Sequence, residues 1–169
     1  MGPVYAETEI DAPREMIHEY LLDISTRPIL FAGAIDGFRL LRLDTRGVGA
    51  GARFRFKRHS AWNDSTITAA EAPRRISERG ATGRLNRNRT GFEWEIGEDS
   101  GGVSVVRLSY WIEPYGVYRH FQRLTGGSRW YTRQMRHALR RLRELIEAER
   151  MATEEVGVAG GNRYETGIR

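Results

Sequence analysis

The chain predicts an α+β domain: a strongly curved antiparallel sheet of about six or seven strands wrapped around one long C-terminal α-helix, with an apolar cavity between them. Three observations predict it. A first alternating segment, residues 4–11, is followed at once by two short helical stretches. Segments of apolar–polar alternation then succeed one another from residue 38 to residue 113, separated by turn residues. From Tyr131 onward the apolar residues adopt the three-and-four spacing of one helical face.

Each element has its own signal. Val4 to Asp11 reads as a half-buried strand. Asp11-Ala12-Pro13 opens a helix, with Asp11 or Ala12 at the cap and proline in the first turn. Ile17, Tyr20, Leu21 and Ile24 continue it, and a second short helix covers Thr26 to Phe31. Strands are expected at Phe38–Thr45, Ala52–His59, Trp62–Ala72 and Arg75–Arg79, then around Phe92, Trp94 and Ile96, and at Val103–Glu113. Glycine-rich turns fall at Gly47–Gly51, Gly80–Gly83 and Gly97–Gly102. Strands in such a series form an antiparallel sheet with one covered face.

The final helix carries Tyr131, Met135, Ala138, Leu139, Leu142, Leu145 and Ile146 on one face, and Arg133, Arg136, Arg140, Arg143 and Glu147 elsewhere. Val117, Phe121 and Leu124 suggest a preceding helical stretch, interrupted at Gly126-Gly127. Periodicity fades after about Arg150, so residues 1–150 are expected to form the single domain and 151–169 a flexible tail.

Bulk composition narrows the function classes. A length of 169 residues suits one domain, and 40% hydrophobic residues suffice for a core. The absence of cysteine removes disulfides, thiolate nucleophiles and cysteine-ligated metals. No apolar run approaches the roughly 20 residues of a membrane span, and the first residues lack the basic and apolar regions of a signal peptide. A cytoplasmic protein without a transmembrane segment is expected. The net charge of +5 invites a nucleic-acid reading, but among the basic residues only Lys57 is lysine. Such skew fits codon bias better than selection for phosphate contacts, so weak polyanion binding is expected and no specific nucleic-acid partner.

Certain phrases place the chain closer. Glu9-Ile10-Asp11-Ala12-Pro13, Leu22-Asp23, Gly47-Val48-Gly49, Glu71-Ala72-Pro73-Arg74-Arg75-Ile76 and Ala138-Leu139-Arg140-Arg141-Leu142-Arg143 stand at turns and packing points over residues 4–149. In that order they resemble the START-like (SRPBCC) superfamily and, within it, the polyketide cyclase/dehydrase branch. The resemblance implies a helix-grip fold. It implies little about activity, because that superfamily includes lipid carriers, hormone receptors and aromatase/cyclases, and fold alone does not assign function.

Candidate site residues follow from parity. Phe54, Phe56, Phe92, Trp94, Tyr110, Tyr131 and Met135 converge between sheet and helix, as a filled core or as the wall of a ligand cavity. If strand parity holds past Phe56, Arg58 points inward and His59 outward, so Arg58 could hold a carboxylate, phenolate or enolate oxygen; otherwise it is a rim or snorkelling residue. Asn63 and Ser65 share parity with Ile67 and could supply hydrogen bonds, and Tyr110 a phenol. His18, His59, His120 and His137 show no metal-ligand spacing, with His18 and His137 read as surface or satisfied polar residues, and no metal or other cofactor is expected. Gly47–Gly51 lacks the Lys-Ser/Thr of a phosphate loop. Glu93 and Glu95 should face solvent and pair with Arg75, Arg79 and Arg107. Arg84, Arg87 and Arg89, with Arg129, Arg133, Arg136, Arg140 and Arg143, make a basic face.

Three functions remain open: binding of a small hydrophobic molecule (lipid-, aromatic- or polyketide-like) in the cavity; cyclase/dehydratase chemistry there, with Arg58 and Tyr110 polarising carbonyls; or interaction through the basic surface. No nucleophile–base pair is visible.

Overall fold

The computed structural model describes residues 2–58, 61–98, 102–115 and 127–158. Strand β1 (Val4–Ile10) leads into helix α1 (Arg14–Leu21), and a single 3-10 turn at Ile24–Thr26 runs into the short helix α2 (Arg27–Leu30). Strands β2 (Ile35–Leu40), β3 (Gly51–Phe56), β4 (Trp62–Glu71), β5 (Arg75–Thr82), β6 (Asn88–Glu98) and β7 (Ser104–Glu113) follow, and helix α3 (Gly127–Val158) closes the described chain. All strand pairings are antiparallel, in the order β1-β7-β6-β5-β4-β3-β2. Strands β2 to β7 are thus a meander, and β1 pairs over its whole length with the first seven residues of β7, from Val4 opposite Tyr110 to Ile10 opposite Ser104.

The curvature is written into particular positions. Register shifts interrupt β2 between Asp36 and Arg39 and β4 between Ile67 and Ala69, and such bulges bend a strand and raise its twist. At Gly80 a Cβ would overlap the Asp64 carbonyl oxygen, so β4 and β5 close on each other only because no side chain is there. Gly37, at φ +61°, lies under the Trp62 indole, where a Cβ would come within 2.9 Å of the ring.

The inner face of the sheet is apolar because alternate residues of each strand point to it. Ala52, Phe54 and Phe56 of β3, Phe92, Trp94 and Ile96 of β6, and Val106, Leu108 and Tyr110 of β7 are all buried. Helix α3 faces them with Tyr131, Met135, Ala138, Leu139, Leu142 and Ile146, the stripe its spacing predicts. The helix is pinned at two points along its course. The Arg141 guanidinium donates to the carbonyls of Leu30 and Ala32, and further along the Asp11 amide donates to Glu147 at 3.1 Å while Arg150 pairs with Asp11 at 2.7 Å.

The elements follow the expected order, with shifted bounds. Asp11 does not cap α1: Pro13 occupies that position and no side chain caps it. Strand β2 starts at Ile35 and ends at Leu40, because at the sheet edge it has only β3 to pair with. Strand β5 runs through Thr82, so its turn begins at Gly83. Helix α3 continues to Val158, eight residues past Arg150. Val117, Phe121, Leu124, Gly126, His59, His120 and residues 159–169 lie outside the described residues. No helix among the described residues is long and apolar enough to cross a membrane.

Candidate functional site

The space between sheet and α3 is dominated by one aromatic cluster. Phe56, the last residue of β3, is its hub: its ring meets Phe54 at 5.4 Å, Tyr110 at 5.5 Å, Trp130 at 5.8 Å and Tyr131 at 5.2 Å between centroids. Phe92 and Tyr110 stack at 4.5 Å, and Tyr110 and Tyr131 at 5.1 Å. Phe31 adds a ring just after α2, 5.7 Å from Phe92. Phe54, Phe56, Phe92, Trp94, Tyr110, Tyr131 and Met135 are thus brought together from four elements, and all are buried. Most of the pairs are edge-on or tilted, the arrangements the ring quadrupole favours. Phe31 and Trp130 belong to the cluster and were not singled out from the sequence; each sits beside a helical apolar stripe, the signal that would have found them.

Polar groups inside this shell are few and unequal in state. Glu78 on β5 and Arg27 on α2 form an ion pair at 2.8 Å with both side chains at most 3% exposed. Glu78 also accepts from Trp94 Nε1 at 3.0 Å and from Ser65 Oγ at 2.8 Å. Arg27 also donates to the Leu21 carbonyl at 2.7 Å and to Thr26 Oγ1 at 3.0 Å, and its guanidinium lies 5.1 Å from the centre of the Trp94 ring. Both carboxylate oxygens are engaged, so Glu78 is a cross-brace between α2 and the sheet rather than an available base. Sequence reasoning passed over it, although Glu78 shares parity with the buried Ile76 and so had to point inward.

Asn63 is in the opposite state. It is the second residue of β4, on the inner face, opposite Phe54 of β3 and Thr82 of β5. It is 2% exposed, and neither its Nδ2 nor its Oδ1 has a hydrogen-bond partner. Ser65 is committed to Glu78, and Thr82 donates to the Trp62 carbonyl at 2.8 Å.

The two phenols are neutral groups. Burial, and then the neighbouring Tyr131, push Tyr110 well above the usual tyrosine range. Burial also pushes Tyr131 up, opposed in part by the charge of Arg58. Both can donate a proton in a hydrogen bond and neither is a base at neutral pH. Arg58 itself is exposed, in the turn after β3. The inward orientation expected for it fails because β3 ends at Phe56 and strand parity stops there.

His18 departs from its expected surface or satisfied setting: it is 2% exposed on α1 and its Nε2 has no hydrogen-bond partner. Burial lowers its pKa, against a smaller opposing effect of Glu19. The unfolded chain takes up a proton near the ordinary value of about 6.5, whereas the folded chain does so only at lower pH. Between the two values the unfolded state holds more protons, so stability rises with pH there and levels off above about 6.5. Urea midpoints measured from pH 7.5 down to 5.5 should therefore fall. His18→Leu should flatten that part of the profile, and an unchanged slope would remove His18 as its source.

On the outer face the charges are largely paired. Arg53 grips Asp64 at 2.6 and 2.8 Å, Arg55 pairs with Asp36 at 2.9 Å, and Arg107 with Glu7 at 2.7 Å and Glu95 at 3.9 Å. Glu93 is shared by Arg75 and Arg79 and accepts from Ser77 Oγ at 2.7 Å. Pairs so open to water are screened and add little to stability. His137 and the α3 arginines 129, 133, 136, 140 and 143 are exposed. Among the described residues no three carboxylate or imidazole groups stand together as a metal site.

No protein-family model matches the chain, and no curated protein is similar to it. Solved structures are. The KanY protein is 18% identical with a TM-score of 0.66, covering 87% of this chain and 99% of its own. Major latex-like protein 151 from Panax ginseng is 17% identical with a TM-score of 0.63, covering 88% and 96%. Norcoclaurine synthase from Thalictrum flavum, in complex with dopamine and hydroxybenzaldehyde, is 12% identical with a TM-score of 0.61, covering 85% of each chain. A seven-stranded antiparallel sheet curled around a long C-terminal helix, in a chain that superposes on these proteins over 85–99% of their length, gives this chain the helix-grip fold.

Proposed function

We propose that this protein binds a small, mainly apolar molecule between the sheet and α3, among the rings of Phe54, Phe56, Phe92, Tyr110 and Tyr131. The observation that carries the proposal is the idle amide of Asn63 at the edge of that cluster. Leaving a buried polar group without partners costs about 1–3 kcal/mol, which a core built only for stability would avoid with an apolar residue. A concave apolar site with few convergent polar groups is the usual form of a small-molecule site. A protein of the same fold holds two aromatic compounds, dopamine and hydroxybenzaldehyde.

A cyclase/dehydratase of the polyketide type is the second reading, favoured by the two buried neutral phenols, which could polarise a substrate carbonyl. Glu78 is not free to act as its base, since both carboxylate oxygens are engaged. Trp94 and Met135 serve either reading as packing beneath the ligand. Arg58, exposed yet close enough to act on Tyr131, would contact only the outer end of a bound molecule. A surface-interaction role would fall to the exposed arginines 129, 133, 136, 140 and 143 of α3, which the cavity proposal does not use. The absence of cysteine fits a reducing cytoplasm.

Titration with Nile red, a neutral apolar dye, tests the proposal. Saturable one-to-one fluorescence enhancement is expected, together with an apolar molecule released from the purified protein and identified by mass spectrometry. A flat dye titration would count against any apolar site.

A further inference from the structure

We infer that the molecule bound here is electrically neutral and presents a hydrogen-bond donor and acceptor side by side, as a carboxamide, lactam or protonated carboxylic acid does, to pair with the Asn63 amide. This rests on the apolar-site proposal and goes further by naming the head group. Three observations carry it.

First, both halves of the Asn63 amide are unused: its NH2 and its carbonyl oxygen are buried with no hydrogen-bond partner. One alone would call for a simple carbonyl or hydroxyl. Both together match an edge that donates and accepts in parallel, closing two hydrogen bonds at once. Second, the neighbours that could have satisfied the amide are committed elsewhere. Ser65 donates to Glu78 at 2.8 Å, Thr82 donates to the Trp62 carbonyl at 2.8 Å, and the residue opposite on β3 is Phe54. Third, the buried ion pair beneath the cluster is complete. Arg27 and Glu78 neutralise each other at 2.8 Å, and Arg58 is exposed at the outer end, so an ionic head group at Asn63 would sit in a low-dielectric space with no counter-charge to meet it. Phosphates, carboxylates and ammonium groups are therefore excluded, and a bare hydrocarbon leaves the amide idle.

The parallel edge also predicts selectivity. A ligand that offers only an acceptor satisfies the Asn63 NH2 and leaves its carbonyl oxygen unpaired in the same dry surroundings. Sites built to hydrogen-bond a substrate reject analogues lacking the matching group for this reason.

Three naphthalene probes of one ring system test this by calorimetry: 2-naphthamide, 2-acetylnaphthalene and naphthalene. In the native protein 2-naphthamide should bind at least about 10-fold more tightly than 2-acetylnaphthalene, the value of one net hydrogen bond. Asn63→Leu should bring the two within about 3-fold while Nile red still binds, and should raise the urea midpoint because an unsatisfied pair has gone. Asn63→Val provides the same comparison should leucine prove too large. Equal affinities of the two probes in the native protein would overturn the inference while leaving the apolar site intact, as would a preference that survives in the variants. A variant midpoint well below the native one would make Asn63 a structural residue and overturn it too. Failure of Nile red and all three probes to bind would remove the site itself.

Discussion

Replacing Glu78 by alanine is expected to cost about 3–5 kcal/mol of stability, because it strands the Arg27 guanidinium inside the protein without a counter-charge. Both side chains are at most 3% exposed, so solvent cannot take over the lost interaction. Two further groups lose their acceptor at the same time: the Trp94 indole N–H and the Ser65 hydroxyl. The pair as a unit is worth much less than the cost of breaking it, since both ions were desolvated to form it. The double change Arg27→Met with Glu78→Leu should therefore recover a large part of the loss. It should not recover all of it, because the Trp94 N–H stays unpaired at about 1–3 kcal/mol. Urea unfolding of the native protein and both variants checks this. A Glu78→Ala loss within about 1 kcal/mol would place the pair with ordinary surface bridges.

Phe56→Ala should have a comparable effect, about 3–5 kcal/mol, by a different route. The ring touches six others, drawn from β3, β6, β7, α3 and the end of α2. Its removal opens a void that rings fixed to separate elements cannot all collapse into. Part of the cost is lost transfer of apolar surface, and part is the remaining cavity. The second part is recoverable. An apolar cavity stays dry and accepts a small aromatic molecule, so saturating benzene should raise the melting temperature of Phe56→Ala more than that of the native protein. A loss under about 1 kcal/mol with no benzene effect would mean that the neighbouring rings simply close over the gap.

These residues show where sequence reasoning reaches and where it stops. Phe54, Phe56, Phe92, Trp94 and Tyr110 are legible because a strand alternates with period two, and Tyr131 and Met135 because a helix repeats near every 3.6 residues. Asn63 is legible by the same alternation, counted back from Ile67. Arg58 misleads through that rule, because parity holds only while the strand lasts and β3 ends two residues earlier. Glu78 and Arg27 mislead by their type: a charged residue reads as exposed, and only the partner 51 positions away makes burial tolerable. His18 reads as a surface or satisfied residue for a similar reason, yet α1 packs it inward.

What the sequence determines by itself is therefore the local and periodic part: the order of strands and helices, the apolar stripe of α3, and most of the inner face of the sheet. Period and turn chemistry act over a few residues, so they are visible in the chain alone. The tertiary structure alone decides which inward polar groups are satisfied. Glu78 is saturated because Arg27, Ser65 and Trp94 arrive from three other elements, and Asn63 is idle because none does. Hydrogen bonding depends on atoms meeting within about 3 Å, and no pattern in one segment records what a distant segment will bring to it.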